Sequence, residues 1–297
     1  MSIAKFSLYR PKSLDDALEF LSNNAGLVKP LAGGTELLLL IRDKKIPTPK
    51  YLLDLNAIRK ELSYVKLEED KVRIGATTTL YELSQSILHK DKRYAGFADV
   101  FYGFATMAMR FYATIGGNIL SATQYNDYLT LLTVYEPELV LVSKEGERRL
   151  TLEQLVLDKR KLAIRPNELL KEIIIPVPPE NTSSSFIKFD RRRILIAGVV
   201  TGAVLLTLND NMIEDIKISF DMIREKRVPG RAKKTEEFLR GKELSEEVVE
   251  EAAEEILPSE MERVSDWWTT AEYRLDMSKV VLKRNIFRAA RRIRGEK

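Results

Sequence analysis

The chain contains 297 residues, of which 44% are hydrophobic and 31% charged, so it can bury a sizeable core and is long enough for two domains or one large divided domain. Its formal net charge is only +4, with acidic and basic residues mixed along the sequence, which argues against a surface that wraps a polyanion. It has no cysteine and one histidine, His89, which excludes disulfides, thiolate catalysis and an iron–sulfur cluster bound by this chain, and argues against a zinc site or a Ser-His-Asp triad.

The opening segment, roughly residues 1–57, predicts a small α+β unit. Ser13 carries a helix N-cap signal, and the apolar positions after it are spaced as on one face of a helix. Short apolar runs at 29–31 and 51–55 predict strands. The run at 36–41 between them predicts a helix.

Residues 58–177 are dominated by hairpin signals. Apolar positions alternate with a period of two in four segments, which predicts two hairpins. These segments are residues 62–66, 72–76, 139–142 and 148–150. Capping boxes that begin at Thr79 and Thr151 predict two short helices.

A stretch rich in proline and serine, residues 176–185, predicts a domain boundary. We place the boundary after residue 177, which gives the domains 1–177 and 178–297. The second domain begins with three strand-like segments, at 186–189, 197–208 and 213–223. Three helical segments follow, at 235–240, 246–257 and 277–293. A three-stranded antiparallel sheet followed by helices predicts an α+β domain.

Two glycine pairs occur where a backbone turn would suit an anion. Gly33 and Gly34 lie between a predicted strand and a predicted helix, and Gly116 and Gly117 lie between apolar residues. Glycine permits a sharp turn and close approach to backbone N–H groups, and a helix N-terminus favours phosphate. Two such loops suit a ligand with two phosphates, although tight structural turns explain the same pattern. Neither stretch is a G-x-G-x-x-G or P-loop motif.

Residues 32–37 and 113–118 resemble the two flavin-binding signatures of the FAD subunit of molybdenum hydroxylases. This group contains carbon monoxide dehydrogenase, xanthine dehydrogenase and aldehyde oxidoreductase. Further motifs in the order typical of the family occur at residues 6–11, 74–79, 188–192, 241–244, 264–266 and 271–274. The resemblance therefore extends over nearly the whole chain. It implies a two-part FAD-binding domain of the vanillyl-alcohol-oxidase (PCMH) type, followed by a smaller C-terminal domain with a three-stranded antiparallel sheet and helices.

The family resemblance also implies which residues bind the cofactor. Both loops would hold the FAD diphosphate through backbone N–H groups and the hydroxyls of Thr35 and Thr114. Asp127 would accept hydrogen bonds from ribose or ribityl hydroxyls, and Lys188 would lie near the flavin ring. The complete set implied by the resemblance is Ala32, Gly33, Gly34, Thr35, Glu36, Thr78, Thr114, Ile115, Gly116, Gly117, Asn118, Asp127 and Lys188.

Other interpretations of these residues stay open in the sequence. Asp127 can be a solvated loop acid, and Lys188 with the arginines after it can be an ordinary basic strand end. Phe111, Tyr112 and Tyr125 are interpreted as core residues rather than flavin-stacking groups. Glu36 repels phosphate, so its side chain is expected to point away from the diphosphate.

The chain departs from the family pattern at several positions near the site. These are the stretch 122–124 where Ala-Ser-Pro is common, Asn126 in place of glycine, Phe111 in place of asparagine, Leu195 in place of aspartate, and Trp268 in place of arginine. None of them removes the two glycine loops. They affect the flavin environment and the site of the external acceptor.

By resemblance, the chain is the electron-transfer subunit of a larger complex. A small subunit would hold two [2Fe–2S] clusters, a large subunit molybdopterin, and this chain FAD, as a dimer of heterotrimers. Archaeal members belong to aldehyde or glyceraldehyde oxidoreductases, which suggests an aldehyde as the substrate. Two alternatives are a free-standing FAD reductase of the same fold and a non-catalytic nucleotide-binding scaffold.

The remaining sequence features concern location and nucleic acid. No run of about 18 apolar residues and no signal-peptide pattern is present, so we expect no membrane span and a reducing cytoplasm. High charge content without cysteine is typical of thermophile proteins. The basic positions in 283–294 are interpreted as the solvated face of an amphipathic helix rather than a nucleic-acid site.

Overall fold

A computed structural model describes residues 5–191, 197–223, 228–267 and 269–296. The first unit is a three-stranded parallel sheet in the order β1-β3-β2. Its elements are β1 (Ser7–Tyr9), α1 (Leu14–Asn23), β2 (Val28–Leu31), α2 (Leu37–Arg42), β3 (Tyr51–Asp54) and α3 (Arg59–Leu62). Ser13 accepts a hydrogen bond from the Asp16 N–H and so caps α1, as the sequence predicts. Ala17, Leu18 and Leu21 of α1 are buried in the core.

The second unit is a five-stranded antiparallel sheet with helices on one face. Its strands are β4 (Val65–Leu67), β5 (Lys71–Gly75), β6 (Glu138–Ser143), β7 (Gly146–Thr151) and β10 (Leu169–Pro176), in the order β4-β5-β10-β6-β7. Its helices are α4 (Leu80–Ser84), α5 (Ala95–Gly103), α6 (Met107–Tyr112), α7 (Ile115–Ser121), α8 (Asp127–Thr133) and α9 (Leu152–Leu155). A small hairpin follows α9, formed by β8 (Val156–Asp158) and β9 (Lys161–Leu162). The capping boxes predicted at Thr79 and Thr151 are both formed.

The third unit is an antiparallel sheet in the order β11-β12-β13-β14, covered by helices. Its elements are β11 (Thr182–Phe189), β12 (Val200–Asn209), β13 (Met212–Phe220), β14 (Gly230–Arg231), α10 (Lys233–Leu239), α11 (Glu246–Glu251) and α12 (Ala271–Arg294). Short π and 3₁₀ turns, Ala252–Ile256 and Leu257–Ser259, extend α11. The three long strands confirm the predicted sheet, and the two-residue β14 is a fourth strand that the sequence did not indicate.

The serine cluster was predicted to belong to the connecting stretch, but it lies inside β11. Ser183, Ser184 and Ser185 are completely buried. Their hydroxyls bond to other segments: Ser183 donates to the Lys92 carbonyl oxygen of the second unit (2.7 Å), and Ser185 donates to Asn285 Oδ1 in α12 of its own unit (2.7 Å). The sequence prediction was wrong because serine favours loops unless tertiary partners satisfy its hydroxyl.

The final helix α12 ties the third unit to α5 of the second. Arg292 donates to both carboxylate oxygens of Asp99, at 2.6 and 2.8 Å, and to the Ser184 carbonyl oxygen at 2.7 Å. Lys283 of the same helix pairs with Glu250 at 2.7 Å. Basic groups of this helix are thus engaged within the chain. Within the described ranges, no helix has both the length and the apolar character needed to cross a bilayer.

Candidate functional site

The first glycine loop links β2 to α2 and offers unpaired donors. Gly34 has φ +68°, the left-handed region that favours glycine. The loop is half-buried, and the backbone N–H groups of Gly33, Gly34 and Thr35 have no acceptor among the residues that the structure describes. Unpaired N–H groups in front of a helix form a concave site that suits an anion.

The two glycine loops lie side by side. A Cβ atom added to Gly33 would lie 1.9 Å from the carbonyl oxygen of Tyr112 and 3.2 Å from the backbone nitrogen of Ala113. Glycine is therefore required at position 33 because two backbone segments pass each other in contact. This contact brings together two stretches that are about 80 residues apart in the sequence.

The second glycine pair is helical rather than a turn, which corrects the sequence prediction. Gly116 and Gly117 occupy the first turn of α7, and neither has a positive φ. Thr114 is the N-cap of this helix and accepts from the Gly117 N–H at 3.1 Å. A Cβ on Gly116 would lie 2.6 Å from the Ala76 carbonyl oxygen, so this glycine also permits close backbone packing.

The backbone N–H groups at the start of α7 are used within the protein. Ile115 donates to the Thr78 carbonyl oxygen (3.0 Å), and Gly116 donates to the Ala76 carbonyl oxygen (2.9 Å). The Asn118 N–H donates to the Thr114 carbonyl oxygen (3.0 Å). The first loop is consequently the better supplied with free donors. The helix N-terminus of the second loop still contributes its positive dipole end.

Thr78 contacts the start of α7 through its carbonyl oxygen and the Tyr64 backbone through its hydroxyl. Its hydroxyl accepts from the Tyr64 N–H (3.0 Å) and donates to the Tyr64 carbonyl oxygen (3.1 Å), and the side chain is buried. Both hydrogen-bonding capacities of the hydroxyl are thus occupied. A cofactor role for Thr78 stays a prediction, and the contacts indicate that it acts by positioning Ile115.

Two further contacts fix the first loop from outside. The Glu36 carboxylate pairs with Arg160 at 2.7 Å, and the Arg160 N–H donates to the Ala122 carbonyl oxygen at 2.7 Å. On the other side, Asn56 Nδ2 donates to the Ala32 carbonyl oxygen at 3.0 Å. The carboxylate of Glu36 is therefore neutralised by a guanidinium beside the loop. The sequence analysis missed Arg160 and Asn56, because nothing local marks such long-range partners.

Asp127 and Lys188 form a buried ion pair. The distance from Lys188 Nζ to Asp127 Oδ2 is 3.0 Å, and the side chains are 12% and 3% exposed. Asp127 begins α8 and Lys188 lies near the end of β11, so the pair joins the second and third units. Burial raises the pKa of Asp127, and the lysine charge opposes this rise. The interpretation of Asp127 as a solvated loop acid is wrong.

Several polar atoms around these elements are buried and have no hydrogen-bond partner among the described residues. They include Asn118 Oδ1, next to the second glycine pair, and Asp190 Oδ1, two residues after Lys188. Such atoms are rare unless a ligand or water satisfies them. Together with the free donors of the first loop, they fit a dinucleotide ligand.

The aromatic residues near the loops are not core residues. Phe111, Tyr112 and Tyr125 are 48%, 64% and 41% exposed, which contradicts the core interpretation. Tyr112 adjoins the first glycine loop through its carbonyl oxygen, as described above. Exposed rings at the edge of a site provide apolar surface for a flat ligand or a partner. Arg192, Leu195 and Trp268, which the sequence analysis also singled out, lie outside the described residues.

Two family models match the chain. The model for the FAD binding domain in molybdopterin dehydrogenase matches residues 4–178. The model for the CO dehydrogenase flavoprotein C-terminal domain matches residues 184–289.

Curated relatives and solved structures show the same similarity. The chain is 31% identical to the glyceraldehyde dehydrogenase medium chain of Sulfolobus acidocaldarius, over 93% of this chain and 95% of that protein. It is 30% identical to the carbon monoxide dehydrogenase medium chain of Afipia carboxidovorans, over 98% of both. The cyanide-inactivated Cu,Mo-CO dehydrogenase structure matches with a TM-score of 0.90 and 29% identity, over 98% of this chain and 100% of that chain. The predicted fold class is thereby confirmed.

Proposed function

Because the chain belongs to the FAD-binding medium chains of molybdenum hydroxylases, we propose that it takes electrons from [2Fe–2S] clusters of a small partner subunit and passes them to an external acceptor. Bound FAD would supply the two-electron chemistry. The observation that carries the proposal is the half-buried loop at 33–35, whose free N–H groups lie beside the N-terminus of α7. The absence of cysteine supports the same division of labour, because this chain supplies no thiolate ligands for a cluster.

The residues proposed to hold FAD act in three ways. The backbone of Gly33, Gly34 and Thr35 would donate to the diphosphate, and the dipole of α7 would add attraction. Asp127 would accept from sugar or ribityl hydroxyls. Lys188, held in place by Asp127, would lie at the flavin ring.

The substrate and assembly of the complex are also part of the proposal. An aldehyde such as glyceraldehyde is supported by the 31% identity to the Sulfolobus acidocaldarius medium chain. The large subunit would then hold molybdopterin and select the substrate, within a dimer of heterotrimers in the cytoplasm. We also propose the predicted division into domains 1–177 and 178–297.

The test begins with the purified chain. We expect it to be yellow, to hold a single FAD per chain and to show no aldehyde oxidation by itself. Co-expression with its two partner chains should give a complex that oxidises glyceraldehyde and reduces the bound flavin. Rapid-mixing spectroscopy should then show the clusters reduced before the flavin.

Other outcomes identify the alternatives. Substrate oxidation by the chain alone would contradict the electron-relay function and favour a free-standing FAD reductase. Absence of flavin, in a chain that is folded by circular dichroism, would favour a nucleotide-binding scaffold. Oxidation of carbon monoxide or a purine instead of an aldehyde would leave the relay function intact and overturn only the proposed substrate.

A further inference from the structure

A second carboxyl group lies beside the Asp127–Lys188 pair. Burial raises the pKa of Asp190 to about 6, against 3.8 for an ordinary aspartate, although Lys188 opposes the rise. A Cβ placed on Gly198 would lie 3.3 Å from Lys188 Cγ and 3.5 Å from Asp190 Oδ1, so both side chains border the same backbone position. As noted, Asp190 Oδ1 is buried and has no partner among the described residues.

A third carboxyl group continues the cluster across the sheet. Lys188 in β11 is directly opposite Thr201 in β12. The Thr201 hydroxyl donates to Asp221 Oδ2 at 3.0 Å, and the Asp221 N–H donates to the Thr201 carbonyl oxygen. Asp221 is only 3% exposed, and burial raises its pKa to about 7. Thr201 therefore lies between Lys188 and a second buried carboxyl with a raised pKa.

The charged groups that face this cluster come from several elements. Lys188 and Asp127 act on Asp190 from β11 and α8. Arg274 of α12 acts on Asp221 and pairs with Asp266 at 2.8 Å. The phenol of Tyr125 also faces this end, and burial together with nearby Asp266 raises its pKa. Lys188 and Arg274 are thus each paired with a carboxylate at hydrogen-bond distance. These pairs are Lys188 with Asp127 and Arg274 with Asp266.

This balance changes what Lys188 can do for a reduced flavin. A lysine without a counter-ion would stabilise an arriving negative charge directly. Here Asp127 already neutralises Lys188 at 3.0 Å, so the pair as a whole is neutral. A further negative charge in the site consequently needs another source of positive charge. Among the described residues, Asp190 and Asp221 border Lys188 and its strand partner Thr201, and each can supply this charge by binding a proton.

We propose that Asp190 and Asp221 are the proton-binding residues of the flavin site, and that they take up a proton from solvent as electrons enter it. The inference rests on the proposed function, which places the flavin ring near Lys188. Two electrons from the partner's clusters and one proton convert the oxidised flavin to its anionic reduced form. A second proton, bound by one of these two carboxylates, neutralises the charge that remains. The total uptake is two protons for two electrons, and both protons are released to solvent on reoxidation.

The first test uses the chain without FAD. Carboxyl signals are followed by infrared spectroscopy or by NMR of ¹³C-labelled aspartate while the pH is changed. We expect Asp190→Asn to remove a titration near pH 6 and Asp221→Asn to remove one near pH 7. Asp210→Asn, in the exposed turn between β12 and β13, is the matched control and should leave both titrations in place. Titration of both carboxyls in the ordinary range of aspartate would overturn the inference.

The second test measures the flavin midpoint potential of the loaded chain against pH. Between about pH 8 and about pH 9, where both carboxyls are ionised before reduction, each proton taken up changes the reduction equilibrium tenfold per pH unit, which is about 30 mV for two electrons. The parent chain and Asp210→Asn should take up two protons. The double variant Asp190→Asn, Asp221→Asn should take up one proton. Its reduction equilibrium should therefore change by a factor of ten less per pH unit than that of the parent chain. Equal pH dependence in all three proteins would refute the role of the two carboxyls.

The two tests separate failure of the inference from failure of the proposed function. A chain that binds no FAD contradicts the proposed function, and its aspartate titrations are still measured in the first test. A chain that binds FAD with normal affinity but whose double variant takes up two protons keeps the function and overturns the inference. Circular dichroism of each variant shows whether it is folded.

Discussion

Replacing Gly33 with alanine is expected to separate the two glycine loops. The added Cβ would lie 1.9 Å from the carbonyl oxygen of Tyr112 and 2.7 Å from its carbonyl carbon. Both atoms belong to the backbone, so no side-chain rotation can relieve the overlap. Either the loop after β2 or the segment between α6 and α7 must move.

The cost of this movement can be worked from the contacts that resist it. Inserting a methyl group into a well-packed site costs about 1–3 kcal/mol. The segment after Tyr112 is also held by a hydrogen bond from the Leu80 N–H to the Ala113 carbonyl oxygen, at 2.9 Å. Weakening one such bond costs about 1 kcal/mol. We therefore expect Gly33→Ala to lower the free energy of unfolding by about 2–4 kcal/mol.

The assay is urea unfolding, together with the ratio of bound FAD to protein. Gly103→Ala is the matched control, because Gly103 ends α5 with no positive φ and no atom lies within 4 Å of its added Cβ. That substitution should be neutral or stabilising by up to about 1 kcal/mol. Gly33→Ala should also lose FAD. If both variants unfold at the same urea concentration and hold the same FAD, the loop contact does not matter and the reasoning is wrong.

Three further predictions use other parts of the chain. Burial lowers the pKa of His89 from 6.5 to about 4. The stability that its neutral form contributes is therefore fully present above about pH 6.5 and is lost as the pH falls towards about 4. In urea unfolding, His89→Phe should reduce this loss of unfolding free energy at acid pH by about 1–3 kcal/mol. Arg292→Ala removes the bonds to Asp99, so it should lower the free energy of unfolding by about 1.5–3 kcal/mol and speed proteolysis of α12. Arg291 is exposed, and Arg291→Ala, as the control, should change the free energy of unfolding by less than about 0.5 kcal/mol. The pKa of Asp221 is raised to about 7, so above that pH its ionised form lowers the stability of the fold. Asp221→Asn should therefore stabilise the fold by about 1–3 kcal/mol more at about pH 8 than at about pH 5 in the same urea assay. An equal gain at both pH values would contradict the raised pKa of Asp221.

Local signals in the sequence predicted local structure well. Ser13, Thr79 and Thr151 were each predicted to cap a helix, and each does. A capping bond joins residues three positions apart, so the sequence contains the whole interaction. The alternating segments gave the hairpins for the same reason.

The errors occurred where distant segments decide the structure. Gly116 looked like part of a turn, but the carbonyl of Ala76 packs against it and the surrounding residues form a helix. Ser184 looked like part of a linker, but it accepts a hydrogen bond from the Gly96 N–H at 2.8 Å inside a sheet. No pattern within a short window encodes such partners, because they are 40 and 88 residues away.

The candidate site shows the same division. The family resemblance located the loops, but what each loop does depends on which N–H groups tertiary contacts already use. The substitutions Gly33→Val and Gly116→Val show the same dependence on tertiary contacts. From the sequence alone, each substitution would be expected to affect only a phosphate site. The structure, however, places backbone oxygens 1.9 and 2.6 Å from the added Cβ atoms. Both changes must therefore cost stability as well as cofactor binding.

Ligand linkage distinguishes these two effects. A ligand that binds only the folded chain stabilises it by about 2.7 kcal/mol when its concentration is 100 times its dissociation constant. If residues 33–35 bind the diphosphate, excess FAD should raise the unfolding midpoint of the parent chain and of Gly103→Ala, but not that of Gly33→Ala. If Gly33 serves only to let two backbones pass, excess FAD should restore part of the lost stability in Gly33→Ala too. The increment gained from FAD, rather than the stability of the apo-chain, therefore reports whether this loop binds the cofactor.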